Sequence, residues 1–155
     1  MFKSLALLTA LVVATATMAK ADQISIHGSD NFDTTAQTLT FVGPLDYAGY
    51  PLGSVGFGGG TGIFSAFTYC TNCVRLNNAP IYYGAGFTPT AIFEISGADT
   101  LLVTLDTINT VNLSNGLTIV GDAQIDINNV ITYGTLTLTT QGTSGINTTF
   151  SATTS

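Results

Sequence analysis

Apolar and polar residues alternate at every second position along most of this chain, the period of a half-buried β-strand. The segment from Leu117 to Ile127 shows it most clearly. Leu117, Ile119, Ala123, Ile125 and Ile127 fall on one side with Gly121 among them. Thr118, Asp122, Gln124 and Asp126 fall on the other, Val120 being the exception. An amphipathic helix would scatter these aliphatics round its circumference. The same pattern predicts strands over Val130 to Gln141, where Leu136 and Leu138 oppose Thr135, Thr137 and Thr139, and over Ile146 to Ala152. Further strands are expected at Gln23 to His27, Thr38 to Val42, Ala91 to Ile95, Thr100 to Asp106 and Thr110 to Leu113.

Turn residues punctuate these strands. Asn115-Gly116 predicts a two-residue type I′ turn, whose central positions both need positive φ. Asn128-Asn129, Ser96-Gly97-Ala98-Asp99 and Gly142-Thr143-Ser144-Gly145 mark other reversals. Gly43 to Gly62 holds eight glycines and two of the four prolines, so extended loops with short edge pieces are expected there. Most aromatic residues lie between Phe41 and Phe93, which points to the bulky part of the core and an exposed aromatic surface. Nine or ten short strands without crossover helices predict an all-β fold, an antiparallel β-sandwich of jelly-roll-like form.

Met1 to Ala21 changes the picture, because it reads as an export leader: Lys3, then an apolar run from Leu5 to Val13, then Ala19-Lys20-Ala21. Cleavage is expected before Asp22, with a second option after Ala16. The apolar run is too short to cross a ~30 Å hydrocarbon layer comfortably. Residues 22–155 then form a single sandwich domain, secreted, extracellular or periplasmic. Both lysines leave with the leader, so Arg75 is the one basic residue against nine acidic ones, a formal charge of about −8. Nucleic acid is excluded as a partner, since phosphate neutralisation needs clustered Lys and Arg. Scarce charge also removes the gatekeepers that discourage edge-to-edge strand pairing.

Candidate chemistry is sparse. Cys70-Thr71-Asn72-Cys73 has no helix to activate a thiol and only His27 as a further soft ligand, so outside the cytosol a structural disulfide Cys70–Cys73 is expected. Its flanks, Phe64 to Tyr69 and Val74 to Leu76, read as strands. Gly56 to Gly62 lacks the glycine spacing and lysine of a phosphate loop and reads as a loop or strand bend. A hydrolytic triad would have to use His27, and no Gly-x-Ser-x-Gly elbow occurs. Paired carboxylates for glycoside hydrolysis would have to use Glu94, the only glutamate, or aspartates alone. No catalytic residue is assigned.

Calcium is the one cofactor with candidate ligands: Asp30 and Asp33, read as a loop of clustered oxygens, and Asp122 and Asp126 on one strand face. Side chains two apart on a strand need a neighbouring loop to complete such a shell. Arg75 is expected to pair with a carboxylate; as an isolated cation it could also grip an anionic ligand, though nothing marks it out for that. The Thr135-Thr137-Thr139 row is what a half-exposed threonine-rich strand looks like. The sequons Asn112-Leu113-Ser114 and Asn147-Thr148-Thr149 are read as chance in a Thr-, Ser- and Asn-rich chain. Tyr47, Tyr50, Tyr82 and Tyr83, near Gly/Pro loops, are candidates for stacking on sugar rings.

Gly134 to Gly142 (GTLTLTTQG), followed by Thr149 to Thr154 (TFSATT), resembles the end of the passenger region in PEP-CTERM-type exported bacterial surface proteins. The opening Ala21 to Asp30 and the Thr-rich middle are similar in style. The resemblance implies a β-sandwich secreted towards the envelope or extracellular matrix, and it carries over no catalytic residues. The sequence reaches Ser155 without the Pro-Glu-Pro signature, apolar helix and basic tail of that family, so secretion without that sorting step is expected. Together these readings predict a non-enzymatic structural or adhesive protein whose partners are further copies of itself or a polysaccharide surface. A carbohydrate-binding module is the rival reading and a hydrolase the third.

Overall fold

The computed structural model describes residues 21–41, 56–67, 74–77, 79–140 and 148–154, with 27, 56–59 and 148–151 described by backbone alone. The leader up to Lys20, Tyr47, Tyr50, Cys70, Cys73 and Asn147 lie outside the described residues. Twelve strands are described. They are β1 (Gln23–Gly28), β2 (Asp30–Asp33), β3 (Thr38–Phe41), β4 (Gly56–Gly60), β5 (Val74–Leu76), β6 (Ile81–Tyr82), β7 (Thr90–Ser96), β8 (Thr100–Leu105), β9 (Thr110–Asn112), β10 (Thr118–Ile127), β11 (Val130–Thr140) and β12 (Thr148–Thr154). One 3-10 helix, Gly62–Phe67, follows β4.

All pairings are antiparallel. The long sheet runs β4-β1-β12-β11-β10-β8-β7-β5, with β9 also on β10, and a second sheet runs β2-β3-β6. The long sheet curls and the small sheet is separate from it, an all-β sandwich-like fold. Strands β7, β8, β10, β11 and β12 lie side by side in chain order, interrupted only by β9, and β1 pairs with β12, so the first and last described strands are neighbours.

The alternation in sequence becomes burial. On β10, Leu117 (just before it), Ile119, Gly121, Ala123 and Ile125 point inward and are buried, while Asp122 is exposed. Leu136 and Leu138 of β11, Leu101, Val103 and Leu105 of β8, and Ile24 and Ile26 of β1 add to the same cluster, which Leu39, Phe41 and Ile81 of the small sheet also join. Each fully buried aliphatic of this kind contributes about 1.5–3 kcal/mol relative to an exposed position. At the end of β11 the inward position is Thr140, 1% exposed. Its hydroxyl accepts from the Leu117 N–H (2.8 Å) and donates to the Leu117 carbonyl (3.0 Å), so a buried polar group is satisfied where the aliphatic row ends.

Three local expectations change. The type I′ geometry sits at Asn128-Asn129, where both residues have positive φ (52° and 66°) and Ile127 pairs with Val130 across a two-residue turn. Between β9 and β10 only Gly116 has positive φ, and the connection spans Leu113 to Leu117, because Asn112 pairs with Thr118. Phe64–Phe67 is part of a 3-10 helix rather than a strand. With three residues per turn, Phe64 and Phe67 fall on one side, and both are buried. Asp30–Asp33 is a strand, not an oxygen-rich loop: β3 pairs with it from Asp30↔Phe41 to Asp33↔Thr38.

Gly121 marks the place where β10 exchanges one neighbour for another. β8 pairs with Ala123–Ile127 and β9 with Thr118–Val120, and the chain between them crosses at Asp106–Asn109. The amides of Asp106 (2.8 Å) and Thr107 (3.4 Å) donate to the Asp122 carbonyl and that of Asn109 (2.8 Å) to the Val120 carbonyl, so β10 keeps backbone partners through the exchange. A Cβ on Gly121 would lie 1.9 Å from the Thr107 carbonyl oxygen. Gly121→Ala is therefore expected to cost about 1–3 kcal/mol in urea unfolding. Gly97→Ala, whose Cβ would meet nothing nearer than 3.8 Å, is expected to stay within about 0.5 kcal/mol of the parent.

Candidate functional site

The outward side of the long sheet is where sequence-predicted chemistry and exposed side chains coincide. Successive register partners build rows across it. Arg75 of β5 pairs with Glu94 of β7, Glu94 with Leu102 of β8, Leu102 with Asp126 of β10, and Asp126 with Ile131 of β11. Four inter-strand steps make this row about 19 Å long. The adjacent row is Ala91, Thr104, Gln124 and Tyr133. Two shallow depressions lie along the first row. One, ≈ 170 Å³, is lined by residues including Arg75, Asn77, Ala91, Glu94 and Leu102. The other, ≈ 220 Å³, is lined by Glu94, Thr100, Leu101, Leu102, Asp126 and Asn129. They share Glu94 and Leu102.

Arg75 and Glu94 are register partners on β5 and β7, and both side chains are exposed. Leu102 is 38% exposed, Ile131 49% and Tyr133 63%. Sequence reasoning passed over Tyr133 as a candidate. The signal was present, because Tyr133 has the parity of Thr135, Thr137 and Thr139, the outward set of the same strand.

Beyond this row the outward face carries hydroxyls on β11, with Val120, Asp122 and Gln124 beside them on β10. Thr135 pairs with Asp122 on one side and Thr153 on the other, and Thr153 with Gln23. Thr139 pairs with Thr118, and Thr118 with Asn112. Ser151 and Thr149 occupy the register positions beside Thr137 and Thr139. The threonine row expected of β11 thus has hydroxyl residues at the register positions of β12, whereas on β10 only Thr118 continues it and Val120 and Asp122 stand opposite Thr137 and Thr135. The spacing is about 5 Å between strands and about 7 Å along them.

The carboxylates proposed as calcium ligands do not converge. Asp30 and Asp33 are three positions apart on β2 and point to opposite sides: Asp30 is 1% exposed, and Asp33 is exposed. Asp33 Oδ1 accepts from the backbone N–H groups of Thr35 (2.7 Å) and Ala36 (2.9 Å), holding the β2–β3 turn in which Gln37 has φ 52°. Asp122 Oδ2 accepts from the Thr107 hydroxyl and Oδ1 from the Asn109 amide, each at 2.9 Å, locking the crossover beside Gly121. Asp126 lies four residues further on, about 13 Å away along the strand. Among the described residues no three His, Cys, Asp or Glu side chains gather.

The tyrosines divide. Tyr82 is 50% exposed at the edge of the small sheet, whereas Tyr83 is 4% exposed. Tyr83 therefore offers no ring for stacking, correcting its place among the sugar-stacking candidates. Its hydroxyl donates to the Asp33 carbonyl (2.9 Å), which joins the end of β6 to the β2–β3 turn. Burial, reinforced by the Asp33 charge, raises its pKa above the usual 10.0. His27 belongs to β1 and Glu94 to β7, with β12, β11, β10 and β8 between them in the sheet. The two residues a hydrolase reading relied on are thus not sheet neighbours. No helix among the described residues is long and apolar enough to cross a membrane.

With this geometry in hand, comparison with family models, with curated proteins and with solved structures finds no match.

A raised tyrosine pKa has a defined pH signature. The unfolded phenol ionises near 10.0 while the folded one stays protonated to higher pH. Stability is therefore full below pH 10.0 and is lost as the pH climbs through the folded value. Tyr83→Phe is expected to lose about 1 kcal/mol at neutral pH, the worth of its hydrogen bond. It is also expected to show a smaller further loss between pH 9 and 11 than the parent, measured by urea unfolding at each pH.

Proposed function

We propose that this protein is an exported, non-enzymatic β-sandwich with a structural or adhesive role at the cell exterior or in its matrix. The observation that carries this reading is the row Thr135, Thr137 and Thr139 on the outward face of β11, flanked in register by Thr118 of β10 and by Thr149, Ser151 and Thr153 of β12. Such a surface is solvated by groups that both donate and accept hydrogen bonds and that carry no charge, so it can exchange water for a hydroxyl-rich partner without stripping ions. The lone basic residue beyond the leader and a formal charge of about −8 favour uncharged partners over polyanions.

A chain cleaved at the expected point would keep its first residue in the fold. Asp22, the residue after the expected cleavage point, is already engaged: its carbonyl accepts from Thr154 N–H (3.0 Å) and its Oδ2 from Ile63 N–H (3.1 Å). Gln23 N–H donates to the Thr61 hydroxyl (3.0 Å). A second reading, a carbohydrate-binding module, draws on the exposed rings of Tyr82 and Tyr133 and is compatible with adhesion.

Expressed with its leader in a bacterial host, the protein is expected in the envelope or medium with Asp22 as its first residue, read by mass spectrometry. On polysaccharide-coated sensor surfaces it is expected to be retained, and lysine at Thr135, Thr137 and Thr139 together is expected to weaken retention at least about tenfold. An uncleaved cytosolic product, or a strict monomer retained by no surface, would overturn the proposal.

A further inference from the structure

We infer that the row Arg75–Glu94–Leu102–Asp126–Ile131, with Tyr133 beside its far end, is a binding subsite for a strand of uncharged polysaccharide. This rests on the adhesive reading and names the part of the surface that gives it selectivity. A pyranose ring has a rim of hydroxyls and faces of C–H groups, so its recognition needs planar polar groups and apolar platforms in alternation. The row supplies that alternation. Arg75 and Glu94 are exposed planar groups able to engage two neighbouring hydroxyls at once. Leu102 stands between Glu94 and Asp126, and Ile131 follows Asp126. Tyr133, 63% exposed, offers an aromatic face, and Gln124 across from it offers an amide.

The same features argue against other occupants. A folded protein partner is usually met by a contiguous apolar core with charge excluded, and here carboxylates interrupt the apolar side chains at each step. A polyanion meets two carboxylates, Glu94 and Asp126, for one guanidinium, on a chain that is acidic as a whole. The two depressions adjoin at Glu94 and Leu102 and together reach from Arg75 to Asp126, with Ile131 and Tyr133 exposed beyond them. A linear polymer fits a row of about 19 Å, four strand spacings.

The test is co-sedimentation and affinity electrophoresis of the processed protein with cellulose, a soluble neutral glucan and a neutral mannan. Alginate serves as the acidic control and chitosan as the amine-bearing one. Retention by at least one neutral polymer is expected, with little change between low and high salt. Tyr133→Ala and Glu94→Ala are each expected to reduce it at least about tenfold, while Ile63→Ala, at an exposed position of the 3-10 helix, leaves it unchanged. Circular dichroism of the variants checks that the fold persists. The inference is overturned by retention on none of the neutral polymers, by retention on chitosan alone that salt abolishes, or by variants that bind like the parent. Adhesion that survives these variants but is lost with the threonine row would leave the adhesive reading standing without this subsite. Release of reducing ends in the same samples would instead remove the non-enzymatic reading while leaving the subsite intact.

Discussion

The register of the β10–β11 hairpin is the constraint on which the rest of this fold depends. Its pairing runs unbroken from Thr118↔Thr139 to Ile127↔Val130. It is fixed at one end by the two left-handed asparagines and at the other by the Thr140 hydroxyl on the Leu117 backbone. Side chains alternate with period two, so a slip of one residue would turn the aliphatic row of β11 to solvent and its threonines into the core. A buried Thr140 adds to that penalty, because its hydroxyl finds both partners only in this register. The inward and outward sets of β8, β9 and β12, which pair directly with this hairpin, follow from it.

That hairpin reaches beyond the core it helps to build. Val130 (67% exposed), Ile131 and Tyr133 lie near its turn, where inward burial fades. Two apolar side chains and an aromatic ring therefore stand in solvent on a surface with few ions to keep other strands away. Self-repulsion of the acidic chain offsets some of the resulting tendency to pair edge to edge. The other edges are short or weakly patterned: β5 has three residues, and β4 reads Gly-Phe-Gly-Gly-Gly.

Much of this arrangement was legible in the sequence, and the failures have physical causes. β10, β11 and β8 were readable because one side of each is deep in the core and the other in water. Asp30–Asp33 was not, because three of its four residues are Asp or Asn, types usually found in turns. The small sheet overrides that preference by pairing it with β3. The 3-10 helix was missed because a two-aromatic, small-residue stretch fits either period over so few residues. Asn-Gly was favoured over Asn-Asn for the tight turn by glycine's tolerance of positive φ. The longer β9–β10 connection relieved that site of the need, while the unbroken β10–β11 ladder imposed it on Asn128-Asn129. Among the tyrosines, neighbouring numbers concealed opposite environments: strand parity sends Tyr82 out and Tyr83 in.

The outward carboxylates show how one parity can serve two ends. Asp122 and Asp126 have the same orientation on the same strand, and sequence alone treats them alike. The structure separates them by what crosses β10 next to each. Opposite Asp122 the chain leaves β8 for β9, and Thr107 and Asn109 take up both carboxylate oxygens. Opposite Asp126 the neighbour is the regular strand β8, which presents Leu102. A carboxylate committed to two side-chain donors holds a crossover together, and one set beside an exposed leucine is left facing solvent with an apolar neighbour. The face is thereby divided between a hydroxyl row close to the crossover and a mixed, alternating row beyond it. Because a single β10 strand carries both, any ligand laid along the row meets a surface whose spacing the core itself has fixed.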